Sequence, residues 1–403
     1  MEYLMPAKRV LSAALALLLV AAIPARATSV PTLTVIDTIN SGAGSSFAMD
    51  SSDSAALGDY LYFGANDGTN GIELWRTNGT TTTLVKDIRS GADSSEPNYF
   101  TAYGDYLYFQ AIDATHGYEL WRTNGTTTEL VMDINTNGAD SSYPYSFTAL
   151  GDYLYFSADD GTSGYELWRT NGTTTELVMD INTGNSGANG SYPYGFTALG
   201  DFLYFGAIDA THGTELWRTN GTTTELVMDI NTGTSSAYPD YLTAYGDYLY
   251  FQAIDATHGY ELWRTNGTTT ELVMDINTNG ADSSYSYSFT ALGAYLYFSA
   301  IDVTNAGLWR TDGATTESVP FPVAGQYINC DCYDTNIVAV GGRLYTTVYS
   351  SDTGNEFAYL DEPTYVLPET SRDGSGWTTT LVILAGLTAA ASIGLRVRGA
   401  KRA

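Results

Sequence analysis

From about Leu33 to Leu360 the chain is a succession of short aromatic and β-branched runs broken by Gly, Asp, Asn and Thr. One stretch shows the pattern. Phe100 to Tyr103, Tyr106 to Phe109, Tyr118 to Thr123 and Glu129 to Ile134 each read as a strand, with turn residues between them. Gly104-Asp105 predicts a tight turn between the first two runs. Asn124-Gly125 predicts a hairpin turn between the last two, where positive φ is tolerated. Strand alternation places Glu119 and Trp121 on one face of the third run and Leu120 and Arg122 on the other.

The pattern repeats. Trp75, Trp121, Trp168, Trp217, Trp263 and Trp309 each stand in an LWRT context, spaced by 46, 47, 49, 46 and 46 residues. Four antiparallel strands per repeat of this length describe a propeller blade, whereas a sandwich domain needs about 100 residues. GDYLYF or a close variant recurs at Gly58, Gly104, Gly151, Gly200, Gly246 and Gly293, and a degenerate seventh copy follows at Gly342-Arg343-Leu344-Tyr345. Asn355 to Leu360 stands where the third strand of that copy belongs, and no fourth follows. Leu33-Thr34-Val35-Ile36-Asp37-Thr38-Ile39 matches the fourth-strand pattern ELVMDI instead. The expectation is an all-β protein, a β-propeller of seven four-stranded blades over residues 28–365, closed into a ring by the N-terminal strand 32–39, which removes the open sheet edges. Six or eight blades are the alternatives.

The unit Glu119-Leu120-Trp121-Arg122-Thr123-Asn124-Gly125-Thr126, followed by Leu130-Val131-Met132-Asp133-Ile134, resembles the ELWxxDGT repeat of bacterial surface and secreted proteins. The resemblance runs from about Leu33 to Leu360 and implies an extracellular propeller-like module without a defined reaction. Asn78, Asn124, Asn171, Asn220 and Asn266 stand where the family has Asp, which Asp312 keeps; both residue types suit the turn.

The two ends read as addresses. Residues 1–27 carry Lys8 and Arg9, an uncharged apolar run from Val10 to Ile23 and the small-x-small sequence Ala25-Arg26-Ala27, the plan of a secretory signal peptide. Trp377 to Leu395 is an uncharged stretch of 19 residues, long enough as a helix (about 28 Å) to cross a bilayer. The basic tail 396–403 follows, with Arg396, Arg398, Lys401 and Arg402, and predicts a cytoplasmic end with everything upstream outside. In the linker 366–376, Leu367-Pro368-Glu369-Thr370-Ser371 resembles the LPxTG signal of sortases, with Ser371 in place of Gly, and the layout also resembles exosortase sorting tails. Either implies display on a bacterial surface, and a plain membrane anchor is the alternative.

Composition narrows the functions. Seventeen basic against 45 acidic residues give a net charge of −28, which repels nucleic acid. At 44% hydrophobic residues the chain has ample core material and is no disordered tail. The repeated Trp75, Trp121, Trp168, Trp217, Trp263 and Trp309 are expected to pack between blades, because a residue used in every blade serves the blade; a platform for sugars is the alternative. Arg76, Arg122, Arg169, Arg218, Arg264 and Arg310, one per repeat, are expected to satisfy turn carbonyls and carboxylates.

The loop between second and third strands holds the most chemistry. Asp67, Glu73, Asp159, Asp160 and Glu166 offer oxygen ligands beside Gly-permitted bends, as a calcium site requires, although the same residues suit a strained turn. Calcium is the one cofactor these loops suggest. His116, His212 and His258 sit at one equivalent position in three blades, so they point apart around a ring and cannot share a zinc ion. Lys86, Arg89 and Glu96 break the repeat but are too scattered to define a reaction. Cys330 and Cys332, the only cysteines, are separated by one residue; export permits a strained disulfide, and two free thiols are equally compatible.

A catalytic centre needs unlike groups converging, and this chain repeats like groups around an axis. The expectation is therefore a non-catalytic cell-surface binding or adhesion propeller, its partner a surface glycan or a protein, attached to the membrane through the C-terminal helix. A polysaccharide-acting hydrolase or lyase and a structural surface-layer component are the alternatives.

Overall fold

The computed structural model describes residues 39–40, 46, 54–183, 190–321, 327–328, 337–350 and 354–361. The signal peptide, most of the closing strand 32–39, Cys330 and Cys332, the linker, the C-terminal helix and the basic tail all lie outside the described residues.

The described residues are all β, without a helix, and they form seven four-stranded antiparallel sheets. In the second sheet the strands are Asn98–Tyr103, Tyr106–Asp113, Gly117–Thr123 and Thr128–Met132, paired in chain order. The first, third, fourth, fifth and sixth sheets repeat this order over residues 54–86, 145–179, 194–228, 240–274 and 287–319. Their first strands touch one another in succession, so the sheets radiate from a common axis as propeller blades do.

Both faces of the second to sixth sheets are covered by neighbours, which is why the second strand is buried along most of its length rather than on alternate residues. Leu107, Phe109, Ala111 and Trp121 pack against Tyr62, Leu74 and Ile88 of the first sheet. Tyr108 and Leu120, on the opposite face, meet Leu154, Phe156, Ala158 and Trp168 of the third. The core is thus a series of slabs between sheets, and the alternation of Leu120 and Trp121 assigns one residue to each slab.

The turn between third and fourth strands works differently from the expected hairpin. Only the glycine takes positive φ, +82° at Gly125. Asn124 acts through its side chain, whose Oδ1 accepts from the Thr126 and Thr127 amides at 2.9 and 2.8 Å. Asp312 accepts from Ala314 and Thr315 in the same way, both at 2.8 Å, so the Asn-for-Asp exchange keeps the one oxygen the turn uses.

The seventh sheet is irregular. Tyr327–Ile328 and Val338–Val340 both pair with one edge of Arg343–Ser350, and Gly354–Asp361 pairs with the other. Among the described residues no outer strand covers Gly354–Asp361, and Phe357 on it is 76% exposed.

Candidate binding face

In five sheets the third strand carries a fully buried glutamate: Glu73, Glu119, Glu166, Glu215 and Glu261. Glu119 accepts from the Ile134 and Ser142 amides, each at 2.9 Å, and from Ser142 Oγ at 2.5 Å. Glu73 bonds Ile88 and Ser95 likewise, and Glu166 bonds Ile181 and Ser191. These carboxylates hold the connector that leaves the outer strand and crosses to the next sheet. Burial pushes Glu119, Glu166 and Glu215 up to about 7 despite the donors around them.

The remaining calcium candidates cap their own turns. Asp67 accepts from the Thr69 and Asn70 amides, Asp159 from the Gly161 amide, and Asp160 from the Thr162 and Ser163 amides. Among the described residues no group of three or more His, Cys, Asp or Glu side chains is arranged to hold a metal ion. The histidines have partners that the sequence reading did not assign: His116, His212 and His258 each place Nδ1 2.8 Å from Asp113, Asp209 and Asp255. That hydrogen bond raises each histidine above its ordinary value.

Trp121, Trp168, Trp217, Trp263 and Trp309 are buried between sheets, and Trp75 is half-buried. Each described LWRT arginine lies over an aromatic ring of its own sheet, as Arg122 does over Tyr106 with 4.3 Å to the centroid. Arg89 pairs with Asp93 at 3.5 Å, Glu96 accepts from the Tyr118 hydroxyl, and Lys86 is exposed on the outer strand, so these three form no common centre.

What the sequence reading missed is a set of tyrosines at the ends of the connectors. Tyr143, Tyr192, Tyr238 and Tyr285 occupy one equivalent position and are 45, 50, 52 and 48% exposed. All four have left-handed backbone, with φ of 43, 48, 46 and 48°. Each amide donates back to the start of the preceding third strand, at Tyr118, Tyr165, Thr214 and Tyr260, which fixes that conformation. A bulky side chain there is strained, and such strain collects at functional sites. Three of the rings stack on Tyr118, Tyr165 and Tyr260, at 5.3, 5.5 and 5.9 Å between centroids. The available signal was the recurrence of Tyr-Pro in the connectors, at Tyr143-Pro144, Tyr192-Pro193 and Tyr238-Pro239.

Next to this row, among the fourth, fifth and sixth sheets, lies a cavity of about 480 Å³ lined by Tyr194, Tyr238, Tyr241, Tyr260, Tyr285 and Tyr287, with Asp240, Gln252 and Ile301. A break in the repeat accounts for it. In the third, fourth and sixth sheets the first strand begins with Tyr145, Tyr194 and Tyr287, opposite the small residues Ser157, Gly206 and Ser299. At Gly206 a Cβ would come within 2.4 Å of the Tyr194 ring. The fifth sheet instead pairs Asp240 with Gln252. Burial, and then the nearby Asp240 carboxylate, raise the Tyr194 hydroxyl above its ordinary value.

No protein-family profile matches the chain, and no curated protein does. Among solved structures it is similar to the β-propeller domain of the trilobed protease from Pyrococcus furiosus, with 10% identity, a TM-score of 0.40, and coverage of 81% of this chain and 100% of that one. Oligopeptidase B from Leishmania major matches with 11% identity and a TM-score of 0.42, over 77% of this chain and 47% of that one. A puromycin-hydrolysing peptidase of Mycobacterium tuberculosis matches with 12% identity and a TM-score of 0.41, over 78% of this chain and 51% of that one. The chain thus spans about half the length of these two peptidases.

Proposed function

We propose that this chain is a non-catalytic binding or adhesion propeller, exported and held at the cell surface by its C-terminal segment. The row of exposed, left-handed tyrosines at Tyr143, Tyr192, Tyr238 and Tyr285 carries the reading. Aromatic rings held in strained backbone and offered to solvent do nothing for the core, and they suit contact with an extended partner. The lining of the adjacent cavity supports binding over hydrolysis: it holds one carboxylate, Asp240, whereas glycoside hydrolysis usually takes two. The acidic surface fits a displayed, soluble module.

The ring is proposed to close through Leu33 to Ile39. Asn40 lies against Gly68, with Oδ1 3.0 Å from where a Cβ would stand, as Asn135 lies against the equivalent Gly161 in the next sheet. Asn66 donates to the Ser46 carbonyl at 2.7 Å, as Asp159 donates to that of Ser142 at 2.9 Å. Asn40 and Ser46 thus take the places that Asn135 and Ser142 hold in a connector arriving from a preceding blade. Exposed Phe357 and half-buried Trp75 are the two faces that closure covers.

The test is binding of the full chain to an array of glycans and surface polymers, read with calcium and again with EDTA. Specific signal in both buffers is expected, because the Asp67 and Asp160 carboxylates already serve their own turns. Signal lost in EDTA would make calcium part of the site, and a blank array in both buffers would overturn the glycan-binding form of the proposal.

A further inference from the structure

We infer that the cavity between the fourth, fifth and sixth sheets binds a neutral sugar unit of a polysaccharide chain; this rests on the binding reading above and names its ligand. The lining and its polar groups carry it. Tyrosine rings supply flat apolar surface for the C–H face of a pyranose, and their hydroxyls supply polar edges. Gln252 lines the cavity while only 8% exposed, and its Oε1 is buried without a hydrogen-bond partner. A buried amide oxygen of this kind requires a donor.

A sugar hydroxyl provides that donor, whereas a quaternary ammonium ion, the other familiar guest of tyrosine cages, has none. No Lys, Arg or His lines the cavity and Asp240 does, so the site disfavours uronic or sialic acids. The volume of about 480 Å³ lies within the range of small-ligand sites, roughly 300–1,000 Å³. The equivalent pair in the second sheet behaves differently: Gln110 donates to Asn98 at 3.1 Å. Tyr238 and Tyr285 belong both to the cavity and to the exposed row, so a chain seated here continues outward over Tyr192.

Calorimetric titration of the full chain with cellohexaose, maltohexaose and mannohexaose, with polygalacturonate and phosphocholine as charged controls, tests the inference. Saturable binding of at least one neutral hexaose is expected. It should weaken at least tenfold in Gln252→Ala and in Tyr241→Ala, the latter at a position 41% exposed, with the Tm of both variants measured alongside, and less than twofold in Gln110→Ala. No neutral binding, binding of a charged control alone, or neutral binding indifferent to Gln252→Ala and Tyr241→Ala would overturn it. An array signal that survives both substitutions would leave surface binding standing and remove only this cavity from it.

Discussion

Arg122 donates from Nη1 to the carbonyl of Gly172, 50 residues further on and in the next sheet, at 2.6 Å. The same guanidinium holds Glu129 of its own sheet through Nε and Nη2 at 2.8 and 2.6 Å. Arg76, Arg169, Arg218 and Arg264 repeat the reach to Gly125, Gly221, Gly267 and Gly313. Five of the LWRT arginines thereby tie a hairpin turn to the sheet before it, and the propeller is built from nearest-neighbour links.

Gly172 has φ of +82°, and a Cβ there would stand 2.7 Å from the Tyr108 hydroxyl and 2.9 Å from Arg122 Nη1. Gly172→Ala is expected to destabilise by about 1–3 kcal/mol in urea unfolding, through overpacking and strain. Gly104→Ala, at φ +58° with nothing within 4 Å, should cost less. Arg122→Ala should cost more than Glu129→Ala, because Glu129 is 42% exposed and its ion pair is screened.

Stability should fall as pH rises above about 5. Glu119 lies at about 7 in the folded protein against 4.5 as its ordinary value, because burial disfavours the carboxylate. The folded chain therefore holds a proton that the unfolded chain releases, and this contribution is complete below about 4.5 and lost as pH rises through about 7. His116, raised by its bond to Asp113, adds a contribution complete below its unfolded value and lost as pH rises through its higher folded value. Asp113 is held low despite partial burial, chiefly by the His116 bond, and its contribution disappears as pH falls through its folded value. The Tm should peak near about pH 5, and Glu119→Gln should flatten the decline toward pH 8; an unchanged slope in that variant would remove Glu119 as a cause.

Tyr238→Gly separates function from stability. Tyr238 has φ of 46° and is 52% exposed, and Thr214 stands where the third strands of other sheets offer a stacking tyrosine. Relief of left-handed strain should leave stability unchanged or raise it by about 1 kcal/mol, while polymer binding falls. A loss of stability with binding intact would make this tyrosine structural.

Deleting Thr32 to Ile39 should lower the Tm markedly if this segment closes the ring, since the seventh sheet then keeps a bare edge beside Phe357. An unchanged Tm would mean an open array.

The repeat made the sheets legible in advance, because strand and turn chemistry is local. GDYLYF and ELWRTNGT state their own alternation and turn residues, and the third strand, expected at Tyr118 to Thr123, runs from Gly117 to Thr123. The role of the LWRT arginines on turn carbonyls followed from the same local reasoning. Glu73 and Glu166 show its limit. In the sequence they look like ligands beside an Asp loop, yet alternation turns them inward, where connector amides from 15 to 25 residues away occupy them. The tyrosine row and the cavity were decided only by tertiary structure. Tyr238 lies 44 residues from Tyr194 and 49 from Tyr287, and successive blades bring them together around one opening that no window of local sequence spans. Sequence set the conformation of each blade because hydrogen bonding and alternation act within a few residues; packing of blade on blade set the site, because only that packing decides which of the 32 tyrosines remain in contact with water.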